Sequence, residues 1–139
     1  MPGTIATLGD TVYDRWSCFA WAPFRKRIRP ALGNHDVAVG GFRAYFGLSR
    51  TYYAYTLGTW RVIVLDSEDV SDAQRAWLRS ELRDHRASCT LAYWHRPRFA
   101  SSPEASPAMA DLWGALYDNG VDLALSGHAH EYERMAPMD

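Results

Sequence analysis

The sequence lacks most features that mark proteins for membranes, nucleic acids or a disulfide framework. None of its apolar runs approaches the roughly 18 residues that a transmembrane helix requires, so no membrane partner is expected. The formal net charge is −1 and the one basic cluster, at residues 25–29, is short, which argues against a nucleic-acid partner. Cys18 and Cys89 belong to no Cys-x-x-Cys motif, so they either pair or remain thiols. The first residues do not follow the pattern of a signal peptide, and the compartment stays open.

The apolar content that is present suffices for one compact domain. With 47% hydrophobic and 14% aromatic residues, the composition is that of an ordered chain. A length of 139 residues fits one hydrophobic core, and we therefore predict a single domain over residues 1–139.

Short apolar segments alternate with helical patterns along the chain. A helix is predicted over residues 71–86, because Ser71 and Gln74 form a capping box before a run of apolar residues at helical spacing. A second helix is predicted over residues 106–120, between a proline start and an Asn-Gly stop. Strands are predicted at residues 4–8, 28–32, 52–57, 61–65, 90–94 and 121–125. This alternation predicts an α/β fold in layers.

Segments between these elements are less regular. Residues 16–27 are aromatic and then basic, and are expected to form one or two helical turns. Residues 96–106 contain two prolines and several serines, which is typical of a loop.

Polar side chains follow four of the predicted strands. Asp10, Asn34, His95 and His128 each come at or just after the C-terminal end of a buried strand, the edge at which α/β sheets bind ligands. Of the five histidines, only His85 lies outside these clusters, and it is expected to be solvated on the 71–86 helix. Histidine, carboxylate and amide oxygen together suit zinc, manganese or iron. The four clusters therefore indicate a metal site.

The clusters also form an ordered series of motifs, namely Gly9-Asp10-Thr11-Val12-Tyr13, Gly33-Asn34-His35-Asp36, Trp94-His95 and Gly127-His128-Ala129-His130-Glu131-Tyr132-Glu133-Arg134. This series resembles the calcineurin-like metallophosphoesterases over nearly the whole chain. Within them it looks most like the purple acid phosphatases, because of the tyrosine in the first motif and the Tyr-Glu-Arg in the last. The resemblance implies a mixed β-sandwich flanked by helices.

The resemblance assigns metal ligands by position. Asp10 would bridge two divalent or trivalent ions, drawn from iron, zinc and manganese. Tyr13 and His130 would complete the first site. The second site would take Asn34, His95 and His128.

Other positions would serve the substrate, which the resemblance identifies as a small phosphate ester. His35 would contact the phosphate or protonate the leaving oxygen, and Asp36 would orient His35 from behind. Arg96 would bind phosphate through its fork of donors or belong to a solvated loop. Residues 66–68 end a strand and either approach the substrate or form a plain loop, while residues 131–133 are expected to pack around the site.

One family motif has no counterpart. Purple acid phosphatases carry an Asp-x-Gly or Asp-x-His upstream of Gly-Asp-x-x-Tyr, and nothing before Thr4 can supply that carboxylate. The first site is therefore expected to be weakened, with three candidate ligands against four at the second. The chain is expected to be shortened at both ends, which would leave sheet edges unpaired.

Hydrolysis of phosphate monoesters at a dinuclear metal site, by a metal-activated water, is the function that these expectations favour. A phosphodiesterase of the same superfamily is the nearest alternative enzyme. A catalytically silent metal-binding chain and a metal-free α/β binding module are the non-enzymatic alternatives.

Overall fold

The computed structural model describes residues 3–138. Its strands are β1 (Ile5–Thr7), β2 (Ile28–Pro30), β3 (Tyr53–Leu57), β4 (Trp60–Val64), β5 (Cys89–Tyr93) and β6 (Leu123–Leu125). Its α-helices are α1 (Asn34–Val39), α2 (Phe42–Phe46), α3 (Asp72–Asp84) and α4 (Ala110–Asp118), and 3-10 turns occupy Trp16–Cys18, Ala22–Arg27 and Pro107–Met109. Strands β1 and β2 form a small parallel sheet, and the larger sheet has the order β3-β4-β5-β6, in which only β3 is antiparallel to its neighbour.

The larger sheet is buried on both faces, since successive side chains of a strand point in opposite directions. Val62 and Val64 pack with Ala31 on the side of the small sheet. Ile63 and Leu65 pack on the other side, where α3 contributes Leu78 and Leu82, the 3-10 turn before α4 contributes Met109, and α4 contributes Leu112 and Leu116. The predicted α/β fold, with sheets flanked by helices, is confirmed.

Helix α3 begins at Ser71, but only half of the predicted capping box forms. The Ser71 hydroxyl oxygen accepts a hydrogen bond from the Gln74 amide at 3.4 Å, as expected for an N-cap. The Gln74 side chain does not return to Ser71, whose own N–H donates to Asp69. The Gln74 side chain is fully buried. Its oxygen accepts a hydrogen bond from the Asp66 amide, and its nitrogen donates to the Asp66 and Asp69 carbonyls. Gln74 thereby fixes the loop that follows β4.

Two tyrosines join the two sheets through their hydroxyl groups. The Tyr93 hydroxyl donates to the Arg29 carbonyl at 2.5 Å and the Tyr53 hydroxyl donates to the Pro30 carbonyl at 2.9 Å. Within the larger sheet, the Tyr55 hydroxyl oxygen lies 3.3 Å from the Tyr93 hydroxyl oxygen. Burial raises the pKa of both Tyr93 and Tyr53 far above the usual tyrosine range, so these hydroxyls remain neutral donors.

Replacing Tyr93 by phenylalanine should lower the free energy of unfolding by about 1–2 kcal/mol, because the Arg29 carbonyl loses its donor while the ring stays packed. Tyr117→Phe on the exposed face of α4 is the matched control, with an expected change within about 0.5 kcal/mol. Urea unfolding of both variants measures the difference. Equal effects would contradict a role for Tyr93 in joining the sheets.

The six predicted strands are present, with ends that differ from the prediction by up to two residues. The second predicted helix starts as a 3-10 turn, and the expected turns at residues 16–27 are also 3-10. Helices α1 and α2 were not predicted. Cys18 and Cys89 are both free thiols, which excludes the disulfide alternative. Among the described residues, no helix is long and apolar enough to cross a membrane.

Candidate metal centre

The C-terminal ends of β1, β2, β5 and β6 meet at one edge and bring four predicted ligands together. One ligand atom each from Asp10, His95 and His128 lies within 4.8 Å of the others. The Asn34 side-chain oxygen lies 3.1 Å from His95 Nε2. The residues predicted for the second metal site therefore form one cluster, and their role as ligands stays a prediction.

The orientation of His95 suits metal binding. Its ring is buried and Nδ1 lies 2.7 Å from the Leu8 carbonyl oxygen, which can only accept a hydrogen bond. The proton of the neutral ring is therefore on Nδ1, and Nε2 carries a free electron pair. That pair faces Asn34 Oδ1 at 3.1 Å and Asp10 Oδ2 at 3.3 Å. Three potential ligand atoms thus converge on one point, which is an arrangement that a cation can satisfy.

Two of these residues hold a backbone conformation that side chains disfavour. Asp10 has φ 49° and His128 has φ 67°, and they are the non-glycine residues with positive φ in the described part of the chain. Such strain persists where the surrounding structure enforces it, and it concentrates at functional sites. Its occurrence at two members of the cluster supports a functional role for this edge.

Close backbone packing also defines the site. A Cβ atom on Gly33 would overlap the Asp10 amide nitrogen and carboxylate oxygen. A Cβ atom on Gly127 would lie 2.6 Å from the Leu8 carbonyl oxygen. The absence of side chains at these two glycines lets the ends of β2 and β6 approach the end of β1.

Asp36 does not have the role that was predicted for it. Its carboxylate is fully buried, and its two oxygens accept hydrogen bonds from the Val12 and Gly33 amides, each at 3.0 Å. Burial raises the pKa of Asp36, although these backbone hydrogen bonds oppose the shift. The prediction that Asp36 orients the His35 ring is therefore wrong. Asp36 instead ties the loop after Asp10 to the start of α1.

His35 and Tyr13 lie on the solvent side of Asp10. The His35 amide donates to Asp10 Oδ1 at 2.9 Å, and its ring Nε2 is 4.0 Å from Asp10 Oδ2. The Tyr13 ring packs against the His35 ring with centroids 4.2 Å apart and is 59% exposed. Desolvation raises the pKa of Tyr13, and the negative charges of Asp10 and Asp36 raise it further.

The three residues predicted for the first metal site do not form a cluster of their own. Of Asp10, Tyr13 and His130, Asp10 alone belongs to the cluster with His95 and His128. Tyr13 and His130 are both exposed. The weaker first metal site therefore stays a prediction.

Arg96 contacts the cluster from the loop after β5. Its Nη1 lies 2.8 Å from His128 Nε2, and its Nε donates to Glu68 at 2.9 Å. Its amide donates to the Ser67 hydroxyl oxygen at 2.9 Å. The loop at residues 66–68, for which substrate contact and a plain loop were both open, thus holds Arg96 in place.

Glu104 is a neighbour of the site that sequence analysis missed. Its Oε2 lies 2.9 Å from His128 Nε2, on the same nitrogen that Arg96 contacts. Desolvation lowers the pKa of His128, and the charge of Arg96 lowers it further, against the opposing charge of Glu104. Glu104 lies in an irregular loop without a recognisable motif, so only the fold could reveal it.

The segment after His130 is only partly packed. Glu133 accepts from the Ser101 amide at 3.0 Å and contacts the Ser101 hydroxyl, which ties the chain end to the 96–106 loop. Tyr132 is 92% exposed. Residues 131–133 are all exposed, and Glu133 contacts Ser101 rather than a residue of the cluster, so the expectation that they pack around the site is wrong.

Comparison with known proteins identifies the class of molecule to which this site and fold belong. The model of the calcineurin-like phosphoesterase family matches residues 4–132. The chain therefore belongs to the calcineurin-like phosphoesterase family. Members of this family generally bind divalent metal ions, and the nitrogen and oxygen donors around His95 fit such ions.

Two relatives illustrate the range of similarity. An uncharacterised protein of Mycobacterium tuberculosis is 29% identical over 147 residues, covering 78% of this chain and 28% of the relative. Purple acid phosphatase 18 of Arabidopsis thaliana is 31% identical over 97 residues, covering 62% of this chain and 22% of the relative. The chain thus spans less than a third of the length of either relative.

A solved structure shows the same fold. GAP50, the anchor in the inner membrane complex of Plasmodium, superposes with a TM-score of 0.67 at 18% identity. The match covers 91% of this chain and 55% of the other. At this identity the likeness bears on the fold alone.

Proposed function

We propose that the chain hydrolyses phosphate monoesters at a metal centre built on Asp10, Asn34, His95 and His128. The convergence of Asn34 Oδ1 and Asp10 Oδ2 on His95 Nε2, beside His128, is the observation that carries this proposal. Family membership supports metal-dependent phosphoester hydrolysis in general. The similarity to a plant purple acid phosphatase supports monoesters over diesters.

In this proposal the surroundings of His95 and Asp10 hold these two residues ready for metal binding. Metal ions bound by these residues would polarise the phosphoryl group and lower the pKa of a bound water. The Leu8 carbonyl keeps the His95 ring in the tautomer that presents Nε2. The His35 amide holds the Asp10 carboxylate, whose second oxygen faces His95. Asp10 is the residue that both metal sites would share.

His35 is proposed to transfer a proton to the leaving oxygen. Its side chain is 45% exposed, and Nε2 lies beside Asp10 at the mouth of the cluster, where an ester oxygen can approach it. The Tyr13 ring lies against the His35 ring, with centroids 4.2 Å apart and planes tilted by 35°, and would limit the positions open to it. Positioning of this kind lowers the cost of bringing the proton donor to the substrate.

Hydrolysis of a generic aryl phosphate tests the proposal. The purified chain is stripped with a chelator and supplied with manganese, zinc or iron. We expect turnover that requires added metal and falls at least about 100-fold in His128→Ala, which loses a ligand. His85→Ala is the matched control, since His85 is exposed at the end of α3 and should leave turnover unchanged.

The other outcomes separate the alternatives. Faster hydrolysis of an aryl diester than of the monoester would favour a phosphodiesterase. Bound metal without any turnover would identify a silent metal-binding chain. If the chelator changed neither the metal content nor the thermal stability, the chain would have no metal site and a metal-free binding module would be favoured.

Metal titration tests the proposed inequality of the two sites. We expect one ion to bind at least about tenfold more tightly than a second, because Tyr13 and His130 are exposed whereas His95 is buried within the cluster. His130→Ala should weaken only the second binding phase. Equal occupancy of both sites at every metal concentration would contradict this prediction.

A further inference from the structure

The aromatic and basic segment at residues 16–27 takes no part in the proposed hydrolysis, yet it borders a cavity. The 3-10 turn Ala22–Arg27 and Tyr45 of α2 line an open cavity of about 530 Å³. Cavities that bind small ligands have volumes of roughly 300–1,000 Å³. The turn leads into the N-terminal end of β2, whereas Asn34 and the rest of the predicted metal cluster follow its C-terminal end. The cavity is therefore a separate candidate site.

The cavity carries a positive charge that the chain itself does not neutralise. Arg25, Lys26 and Arg27 are consecutive, and none of them forms an ion pair with a carboxylate in the described part of the chain. Arg25 Nη1 donates to the Tyr45 carbonyl at 3.1 Å, and Arg27 Nε donates to the Gly3 carbonyl at 2.8 Å. Carbonyl oxygens hold a guanidinium in place but do not cancel its charge. The cavity therefore attracts anions, and the arginine fork suits phosphate in particular.

Aromatic rings adjoin these charges. Trp21 and Phe24 are 53% and 44% exposed, with ring centroids 6.3 Å apart. The Arg27 guanidinium lies 5.7 Å from the Phe24 ring centroid, and the Arg25 guanidinium lies 5.3 Å from the Tyr45 ring centroid. Exposed rings beside arginines offer flat faces on which a heteroaromatic base stacks.

We propose that this cavity binds a nucleoside polyphosphate, with its phosphates on Arg25 and Lys26 and its base against Phe24 and Trp21. The cations without carboxylate partners account for the phosphates, and the exposed rings account for the base. Three adjacent cations are too few for the extended footprint of a nucleic acid, in keeping with the net charge of −1. Binding here does not depend on hydrolysis at the metal cluster.

Calorimetric titration with adenylyl imidodiphosphate, an ATP analogue that resists hydrolysis, tests the proposal. The chain is titrated as purified and again after passage over a metal-chelating resin. We expect the resin to leave the affinity unchanged, because no predicted metal ligand lines the cavity. Binding that disappears after the resin would place the nucleotide at the metal cluster and overturn the proposal, as would the lack of binding in both samples.

Ligand fragments separate the two parts of the cavity. On the resin-treated chain, inorganic tripolyphosphate lacks a base to stack and should bind about tenfold more weakly than the analogue. Uncharged adenosine lacks the phosphates and should bind at least about 100-fold more weakly. Tripolyphosphate that binds as tightly as the analogue would show a plain anion site and overturn the assignment of a nucleotide.

Substitutions at the assigned residues distinguish recognition from structure. Arg25→Gln and Lys26→Gln should each weaken both the analogue and tripolyphosphate about tenfold, since each variant loses a phosphate contact. Phe24→Ala should weaken the analogue about tenfold and leave tripolyphosphate within about twofold, because only the base loses its partner. Equal loss of both ligands in Phe24→Ala would indicate damage to the turn and contradict the assignment of the base.

Arg79→Gln and Tyr117→Ala are the matched controls. Arg79 is an exposed arginine of α3, and Tyr117 on α4 is 47% exposed, close to the value for Phe24. Each control should leave both affinities within about twofold. An equal loss in Arg79→Gln and Arg25→Gln would reduce the effect to net charge and overturn the proposal. None of these measurements requires turnover, so they remain decisive if the chain hydrolyses no ester.

Discussion

Replacing Asp10 by asparagine should lower metal affinity by more than about 100-fold and abolish metal-dependent phosphatase activity, while the fold remains intact. Removing only a hydrogen-bond partner of a metal ligand typically lowers metal affinity about 10- to 100-fold. The loss should be larger for Asp10, which contributes the negative charge of the cluster itself. Asparagine keeps the oxygen that accepts from the His35 amide. It also tolerates the left-handed conformation at φ 49° at least as well as aspartate does.

Asp14→Asn is the matched control for this change. Asp14 lies four residues away with a side chain that is 78% exposed, next to Arg15, and its replacement should leave metal affinity unchanged. Metal content after dialysis and circular dichroism report affinity and fold separately. Asp10→Asn protein that retains stoichiometric metal would place the metal centre elsewhere.

Replacing Gly33 by alanine should destabilise the protein by about 2–4 kcal/mol and lower its melting temperature by roughly 10 °C. The new Cβ would overlap the Asp10 backbone nitrogen, and a backbone atom in a buried loop cannot move aside as a flexible side chain can. The backbone dihedrals are not the cause, since φ at Gly33 is −116°. Metal affinity should fall with stability because Asp10 is the residue displaced.

Gly114→Ala gives the contrasting result on the same scale. A Cβ atom there meets nothing within 4 Å, and alanine in the middle of α4 should raise stability by up to about 1 kcal/mol. Thermal unfolding of the two variants compares them directly. A loss of less than about 1 kcal/mol in Gly33→Ala would show that the junction between β1 and β2 adjusts more readily than its packing indicates.

The strands and the location of the cluster were predictable because each depends on local pattern. Short apolar runs that end in glycine and a polar residue indicate strand ends, and parallel strands bring those ends to one edge. Asp10, Asn34, His95 and His128 were expected together for that reason, and they lie together. The helix at 71–86 carried a full set of start and spacing signals.

Features that depend on contacts between distant segments were not predictable. Helix α1 has only six residues, which is too short for a recognisable apolar stripe. It is held by the hydrogen bond from the Gly33 amide to the Asp36 carboxylate. The pairing of Asp36 with the Val12 amide joins segments 24 residues apart. Glu104 approaches His128 only because the loop after β5 folds back toward the end of β6.

Backbone strain at Asp10 and His128 has a consequence for laboratory evolution. A left-handed conformation costs an ordinary L-residue roughly 1–2 kcal/mol relative to glycine, which adopts it freely. Selection for heat resistance alone should therefore enrich glycine at both positions and remove two of the predicted metal ligands. A screen that retains only variants able to bind metal would keep the strained residues. Comparison of the two libraries would identify the positions at which stability is lower because metal binding requires a particular residue.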